Sequence, residues 1–308
     1  MELANIMVNN SEENGRIRQA TRSDAKEIMK LLQSAPYRHM HVDWYVPGDW
    51  IGSAGFLLKI KPPVKSSRSQ FAKFLGESEK VQSLFAVTAD PRPAAWVRVV
   101  SLGDKKTAVS DLAELITAVK KPLKEEGNNV IAWLAIEEWP NQWLPELGFK
   151  CVNHIETYAK EDTEIPDRSI NPDIDIRPVL DKDIVKLAQL EAKAFNALWR
   201  HSAQGLQLAK NQSFSFDVAL LHDEIVGFQL STPNDYGVHL VRLTVDPDLQ
   251  GKGVGTALMT HALRGYYRRD RYRITLNTQS DNQTSQTLYT KFGFKPSGQK
   301  FPVWISKI

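Results

Sequence analysis

The run Gln250-Gly251-Lys252-Gly253-Val254-Gly255-Thr256 is the part of the chain whose residue types and spacing point most directly to chemistry. Before it, His239 to Val245 alternates and is β-branched, which predicts a strand that Asp246 and Pro247 stop. After it, Thr256 to Leu263 is apolar at helical spacing, which predicts a helix. Glycines let the intervening backbone come close to a ligand. The first N–H groups of a helix have no intrahelical partner, and the helix dipole favours negative charge beside them. A strand, a glycine-rich turn and a helix N-terminus thus suit a phosphate. Two phosphate-binding patterns are excluded. The dinucleotide fingerprint G-x-G-x-x-G lacks its third glycine here, and no Gly-Lys-Ser/Thr follows as a Walker loop requires.

Gln250-x-x-Gly253-x-Gly255, straight after a strand ending Leu-Thr-Val-Asp-Pro, resembles the acyl-CoA pyrophosphate loop of the GNAT N-acetyltransferases. Downstream, Ile274 to Phe294 resembles that family's second signature: a strand, an Asn, then a helix carrying Leu-Tyr and ending at Gly-Phe. The resemblance covers Asp173 to the C-terminus. It implies an acyl-CoA, most simply acetyl-CoA, between two splayed parallel strands, His239–Val245 and Ile274–Asn277, with no metal. It also implies pantetheine contacts from the backbone of Leu243, Thr244 and Val245. Pyrophosphate contacts are implied from the loop that Gln250 opens, through the amides of Gly251, Lys252, Gly253, Val254, Gly255 and Thr256. Lys252 either adds positive charge there or is simply solvated.

Asn282 matches the family asparagine that contacts the cofactor arm, and it also suits an N-cap. Tyr289 matches the family tyrosine that protonates the departing thiolate. A phenol of ordinary pKa about 10 stays protonated at neutral pH and can donate to sulfur. An amine acceptor, with a pKa of about 10.4, must lose a proton first. Counting back from Gln250, His239 falls where some family members carry a glutamate base, and a pKa of about 6.5 suits that task. Period-two alternation puts it on the face of Val241, Leu243 and Val245. Other relatives use a water chain, which would leave His239 structural. Arg242, on the opposite face, meets an acidic acceptor or pairs structurally.

The rest of the chain has to position these residues. Its 308 residues suggest two domains. With 42% hydrophobic and 24% charged residues it reads as an ordinary globular protein, and a net charge of +3 does not call for nucleic acid. No apolar run long enough to span a membrane and no basic-then-apolar leader is visible, so no membrane partner is expected. The single cysteine, Cys151, excludes an intramolecular disulfide framework and fits a cytoplasmic setting; no His or Asp motif accompanies it as a nucleophile.

Along the first part, strands are predicted at Arg16–Ala20, Gly55–Ile60, Leu84–Ala89, Ala94–Val100, Val130–Ile136 and Phe149–Tyr158. Helices are predicted after the capping-box-like Thr21–Asp24, over Asp111–Lys124 and over Trp139–Leu147. The aromatic stretch from Tyr37 to Gly52 reads as a packed loop, and the basic run from Lys61 to Lys80 as a solvated one. The second part restarts the pattern with a strand at Ile174–Arg177, a helix over Asp181–Phe195, and a hairpin of Phe214–Leu221 and Glu224–Leu230.

The restart is an internal repeat. The spacing from Val97 to Val241 recurs from Val130 to Ile274 and, within one residue, from Gly148 to Gly293. On that spacing Gln250 falls on Lys106, Gly253 on Val109, Gly255 on Asp111, Asn282 on Glu138, and Tyr289 on Leu144. An aspartate at the phosphate position and a Cβ at Val109 would close the first site. The expected architecture is an α/β mixed sheet forming two tandem GNAT-like domains. Residues 1–15 are a polar tail, 16–160 a degenerate domain, 161–172 a linker and 173–308 the catalytic domain. The resemblance implies acetyl transfer to a small-molecule amine or a peptide acceptor, with monomer and homodimer both open. The alternative is a non-catalytic acyl-CoA-binding or protein-interaction module.

Overall fold

The computed structural model describes residues 15–61, 79–167, 171–235 and 237–308. The polar tail, most of the basic run 61–80 and part of the 161–172 linker therefore lie outside the described residues.

The first half runs β1 (Arg16–Gln19), α1 (Ala25–Ser34), β2 (Tyr37–Met40), β3 (Phe56–Ile60), β4 (Val81–Ala89), β5 (Ala94–Leu102), α2 (Ala108–Glu125), β6 (Val130–Leu134), α3 (Trp139–Trp143) and β7 (Lys150–Lys160). The second runs β8 (Ile174–Pro178), α4 (Ile184–Ala194), α5 (Ala203–Gln212), β9 (Ser215–Leu221), β10 (Glu224–Asn234), β11 (Gly237–Val245), α6 (Val254–Tyr267), β12 (Arg273–Gln279), α7 (Gln283–Lys291) and β13 (Lys295–Lys307).

Each half opens with the same local device. Arg18 pairs with Asp24 at 2.7 Å, and Asp24 also accepts from the Thr21 N–H at 2.8 Å. Arg177 pairs with Asp183 at 2.6 Å, and Asp183 accepts from the Leu180 N–H at 2.8 Å. Each aspartate fixes the turn into a helix whose apolar stripe then packs on the sheet: Ile28 and Leu31 in α1, Ile184, Leu187 and Leu190 in α4.

Among the described residues all thirteen strands belong to one sheet. Its order is β1-β3-β4-β5-β6-β13-β7-β12-β11-β10-β9-β8, with β2 pairing to β5 off this path. The two halves exchange their last strands. β13 lies between β6 and β7, with Trp304 opposite Trp133, and β7 pairs antiparallel with β12, with Tyr158 opposite Leu276. Apolar clusters follow the sheet: α2 covers one around Phe85 and Trp133, and α6 and α7 cover one around Leu240, Met259, Leu276 and Phe292.

The repeat is present, but its register differs from the sequence reading. Ala94 pairs with Val130, and Gly237 with Arg273. Each half has one bulge in its central strand, at Arg98 and at Val241. Val97-Arg98-Val99 therefore corresponds to Leu240-Val241-Arg242, one residue off. The helices open at Ala108 and Val254, with N-caps Thr107 and Gly253. Gly255 thus corresponds to Val109, and Asp111 lies inside α2 rather than at a phosphate position. Asp111 is fully buried, 3.0 Å from Lys59 Nζ and 2.6 Å from Ser83 Oγ. The cause is loop length: the strand-to-helix connection is 103–107 in the first half and 246–253 in the second.

Three elements were not predicted. α5 is short and carries Gly205. β2 lies in the aromatic stretch read as a loop. β13 contains two prolines and a glycine, which argue against a long strand.

Candidate active site

β11 and β12 run parallel through four pairs, Gly237–Arg273 to Leu240–Leu276, and then part. On its other side β11 stays paired with β10 as far as Val245. The Asp246 N–H donates to the Val226 carbonyl at 2.8 Å. Main-chain groups alternate sides along a strand, so those of Leu243 and Val245 face the opening instead of β10. A cleft of about 1220 Å³ fills this opening.

The glycine turn forms one end of the cleft. Lys193 holds it from beneath, its Nζ lying 2.6 Å from Asp246 and 2.7 Å from Asp248. Gly253 caps α6 with φ at +88°, in the left-handed region. The first bond within α6 runs from the Ala257 N–H to the Gly253 carbonyl, 2.9 Å. The N–H groups of Val254, Gly255 and Thr256 therefore have no partner inside the helix. Gly255 is packed closely: a Cβ there would lie 3.3 Å from Leu288 Cδ2 and 3.7 Å from Val245 Cγ2. A Cβ there would require the Leu288 side chain to give by a few tenths of an ångström.

The cleft brings together Leu243, Val245, Gln250, Gly251, Gly253, Gly255, Thr256 and Asn282. Asn282 caps α7, its Oδ1 accepting from the Ser285 N–H at 3.1 Å, while its Nδ2 has only a 3.4 Å contact with Gln279. Thr244 and Val254 point away into the core, and Lys252 is exposed outside the lining. Tyr289, one turn beyond Ser285 on α7, is 6% exposed; it is not part of the cleft lining and packs in the buried cluster with Tyr158, Phe292 and Phe294. Burial pushes its phenol up to about 12, against the opposing effects of the Ser285 hydroxyl and the Arg242 charge.

His239 is not on the face that alternation assigns it. The bulge sets Leu240 opposite Ser231 and Arg242 opposite Leu230, which reverses the alternation. His239 shares a face with Arg242 and Thr244, opposite Leu243 and Val245. Its Nδ1 lies 2.8 Å from Thr275 Oγ1, and burial pushes its pKa down to about 4.

Arg242 pairs structurally. Its Nε lies 3.0 Å from Glu191 Oε1, its Nη2 donates to the Trp199 carbonyl, and its guanidinium stacks on Phe195 at 3.6 Å. Glu191 is fully buried and also accepts from Thr244 Oγ1 at 2.7 Å. Burial opposes its ionisation, but Arg242 and His201 outweigh it and hold the carboxyl well below the usual range. The sequence reading missed Glu191. Its signal was an acid in the apolar stripe of α4, one position after Leu190 and seven after Ile184.

The equivalent opening of the first half is filled by the chain itself. β5 and β6 also part after three pairs, Ala94–Val130 to Trp96–Ala132. β2 lies along the freed edge of β5, with His39 opposite Val100 and Tyr37 opposite Leu102. In the repeat's register these two positions correspond to Leu243 and Val245. His39 is 1% exposed, and its Nδ1 lies 2.6 Å from Glu137 Oε2.

Residues 184–294 match the model of the Acetyltransferase (GNAT) family. The chain is 38% identical over 80 residues to the peptidyl-lysine N-acetyltransferase YjaB of Salmonella typhimurium, covering 25% of this chain and 47% of that one. It is 29% identical over 174 residues to the mycothiol acetyltransferase of Saccharomonospora viridis, covering 52% and 50%. The chain thus spans about half the length of each of these relatives. In fold it is similar to a tandem GNAT protein from the clavulanic acid biosynthesis pathway, with a TM-score of 0.57 at 13% identity over 95% of this chain and 98% of that one. It is also similar to a GCN5-related N-acetyltransferase from Kribbella flavida, with a TM-score of 0.63 at 12% identity over 97% and 72%. Among the described residues no helix is long and apolar enough to cross a membrane, and no group of three or more His, Cys, Asp or Glu could hold a metal ion.

Proposed function

From a chain whose second half carries a GNAT-family acetyltransferase domain in a tandem GNAT fold, we propose an N-acetyltransferase that uses acetyl-CoA and a primary amine. On this reading residues 173–308 are the catalytic half, and 16–160 a closed half that binds no cofactor. The observation that carries it is the pair of parted strands opening onto a glycine-capped helix. Leu243 and Val245 offer unspent main-chain groups to an amide-containing arm, and the α6 amides suit the pyrophosphate.

This chain's residues then have three tasks. The first is to hold the thioester where β11 and β12 part. The second is to admit the amine from the Phe195–Trp199 side, so that both reactants meet in one ternary complex. The third is to supply protons. The neutral amine attacks the thioester carbonyl, the C–S bond breaks, and the Tyr289 phenol gives its proton to the leaving sulfur. The amine's own proton goes to water, and solvent returns a proton to the Tyr289 phenolate. His239, with a pKa pushed down to about 4, is a poor acceptor for it, and Glu191 is already spent on Arg242 and Thr244.

Calorimetric titration with acetyl-CoA should give one site per chain, because β2 occupies the other opening. Two equivalent sites would overturn that. Thiol release over a panel of amines and peptides tests the transfer itself. Acetyl-CoA binding with no acceptor turned over would favour the non-catalytic module.

A further inference from the structure

We infer that the acceptor amine carries an apolar group, most simply an aromatic one, that seats on a subsite shared by both halves. The inference rests on the acetyl-transfer reading of the same cleft. Facing the parted strands are Phe195, Leu198 and Trp199 from the α4–α5 connection, Val152 from β7 and Ile305 from β13. These side chains come from both halves, and the exchange of last strands brings them together.

The wall is fixed from behind. Trp96 of the first half lies 5.6 Å from Trp199, ring to ring, and its Nε1 donates to the Leu198 carbonyl at 3.1 Å. Leu198, Trp199 and Ile305 pack against the buried cluster of Trp96, Ala132, Ile155 and Val303. From the second half, Arg242 stacks on Phe195 and holds the Trp199 carbonyl. A rigid apolar wall loses little freedom when a ligand seats on it. Val152 is 47% exposed although β7 is an interior strand of the sheet. A large apolar side chain facing an open cleft suits a ligand that covers it.

Charge points the same way. Among the described residues the ionisable side chains lining the cleft are Asp281 and Lys291. Asp281 Oδ1 already accepts from Asn153 Nδ2 at 2.9 Å. The buried acid behind the wall is also engaged, Glu191 by Arg242. The cleft therefore presents no cluster of carboxylates to a polycation, and recognition falls to apolar contact.

The test compares acetyl transfer to phenylethylamine and to spermidine by the full chain and two variants. The wild type should favour phenylethylamine in kcat/KM by at least about tenfold. Val152→Asp, at an exposed position, should cut that preference by about tenfold by adding charge to the wall. Leu198→Ala should lower kcat/KM for phenylethylamine through KM and leave spermidine nearly unaffected. A preference for spermidine, or a ratio that neither variant moves, overturns the subsite and leaves acetyl transfer standing. Failure to bind acetyl-CoA in parallel calorimetry overturns the transfer reading and the subsite with it.

Discussion

Replacing Tyr289 by Phe removes one hydroxyl and keeps the ring. The ring packs 6.4 Å from Tyr158 and 6.0 Å from Phe294, centroid to centroid, and those contacts remain. The hydroxyl's polar neighbour on α7 is Ser285, so at most one hydrogen bond is lost, about 1 kcal/mol of stability. The effect on chemistry should be far larger. A positioned acid typically contributes about 10²–10⁴-fold, which is roughly 3–5 kcal/mol of barrier. On the proposed role the phenol acts as the thiolate develops, so acetyl-CoA affinity should hardly change. The pH behaviour gives a second readout. Burial raises the folded-state pKa from about 10 to about 12, so the protonated form is the one that folding favours. That contribution to stability is fully present below pH 10 and is lost as pH rises toward 12, and the Phe variant should lack this alkaline loss. The decisive assay is single-turnover acetyl transfer, because product release can hide a slowed chemical step in steady state. A Phe variant with the wild-type single-turnover rate would remove Tyr289 from the mechanism and make it a core residue.

Gly253→Val forces a β-branched residue to φ near +88°, which costs at least about 1–2 kcal/mol; calorimetry should show acetyl-CoA affinity falling sharply, and retained affinity would mean that the turn holds no phosphate. Glu191→Gln leaves Arg242 unpaired at the α4–β11 contact and should cost about 3–5 kcal/mol in denaturant unfolding at pH 7. Because the folded pKa of Glu191 is depressed, the wild-type advantage exists above the ordinary glutamate pKa and should shrink as pH falls below it; an advantage independent of pH would refute the ion pair. His239→Gln should change kcat/KM by less than about tenfold and leave its acid limb in place; loss of that limb would restore the histidine as base.

Much of this arrangement was legible because its signals are local. The glycine turn, the strand before it and the cap at Asn282 depend on residues within a few positions of one another. The capping turn at Thr21–Asp24 is likewise local, whereas its pairing with Arg18 and the matching Arg177–Asp183 pair came from the structure. What the sequence could not reveal depends on a single inserted residue or on distant pairing. The bulge at Val241 moves His239 to the other face, and no residue at that position announces it. The ungapped repeat placed Asp111 at a phosphate that the shorter first-half loop does not hold. Nor does Tyr37-Arg38-His39-Met40 look like a strand on its own; its order comes from the free edge of β5 and from Glu137 beside His39. The apolar wall of the cleft draws on β7 and β13, which meet only because the halves trade strands.

That trade also sets an order of assembly. During synthesis the first half emerges with β6 exposed along one edge, and its neighbour β13 is made only after β8 to β12 and α4 to α7. An unpaired edge is a site for wrong pairing, and its hazard grows with the time it stays open. β7 waits in the same way for both β12 and β13. A nascent chain that stalls between β7 and β12 would therefore hold a nearly complete first half whose open side can accept the same strand from another molecule. Ile305 of the cleft wall lies on β13, so that wall cannot be complete until β13 docks between β6 and β7.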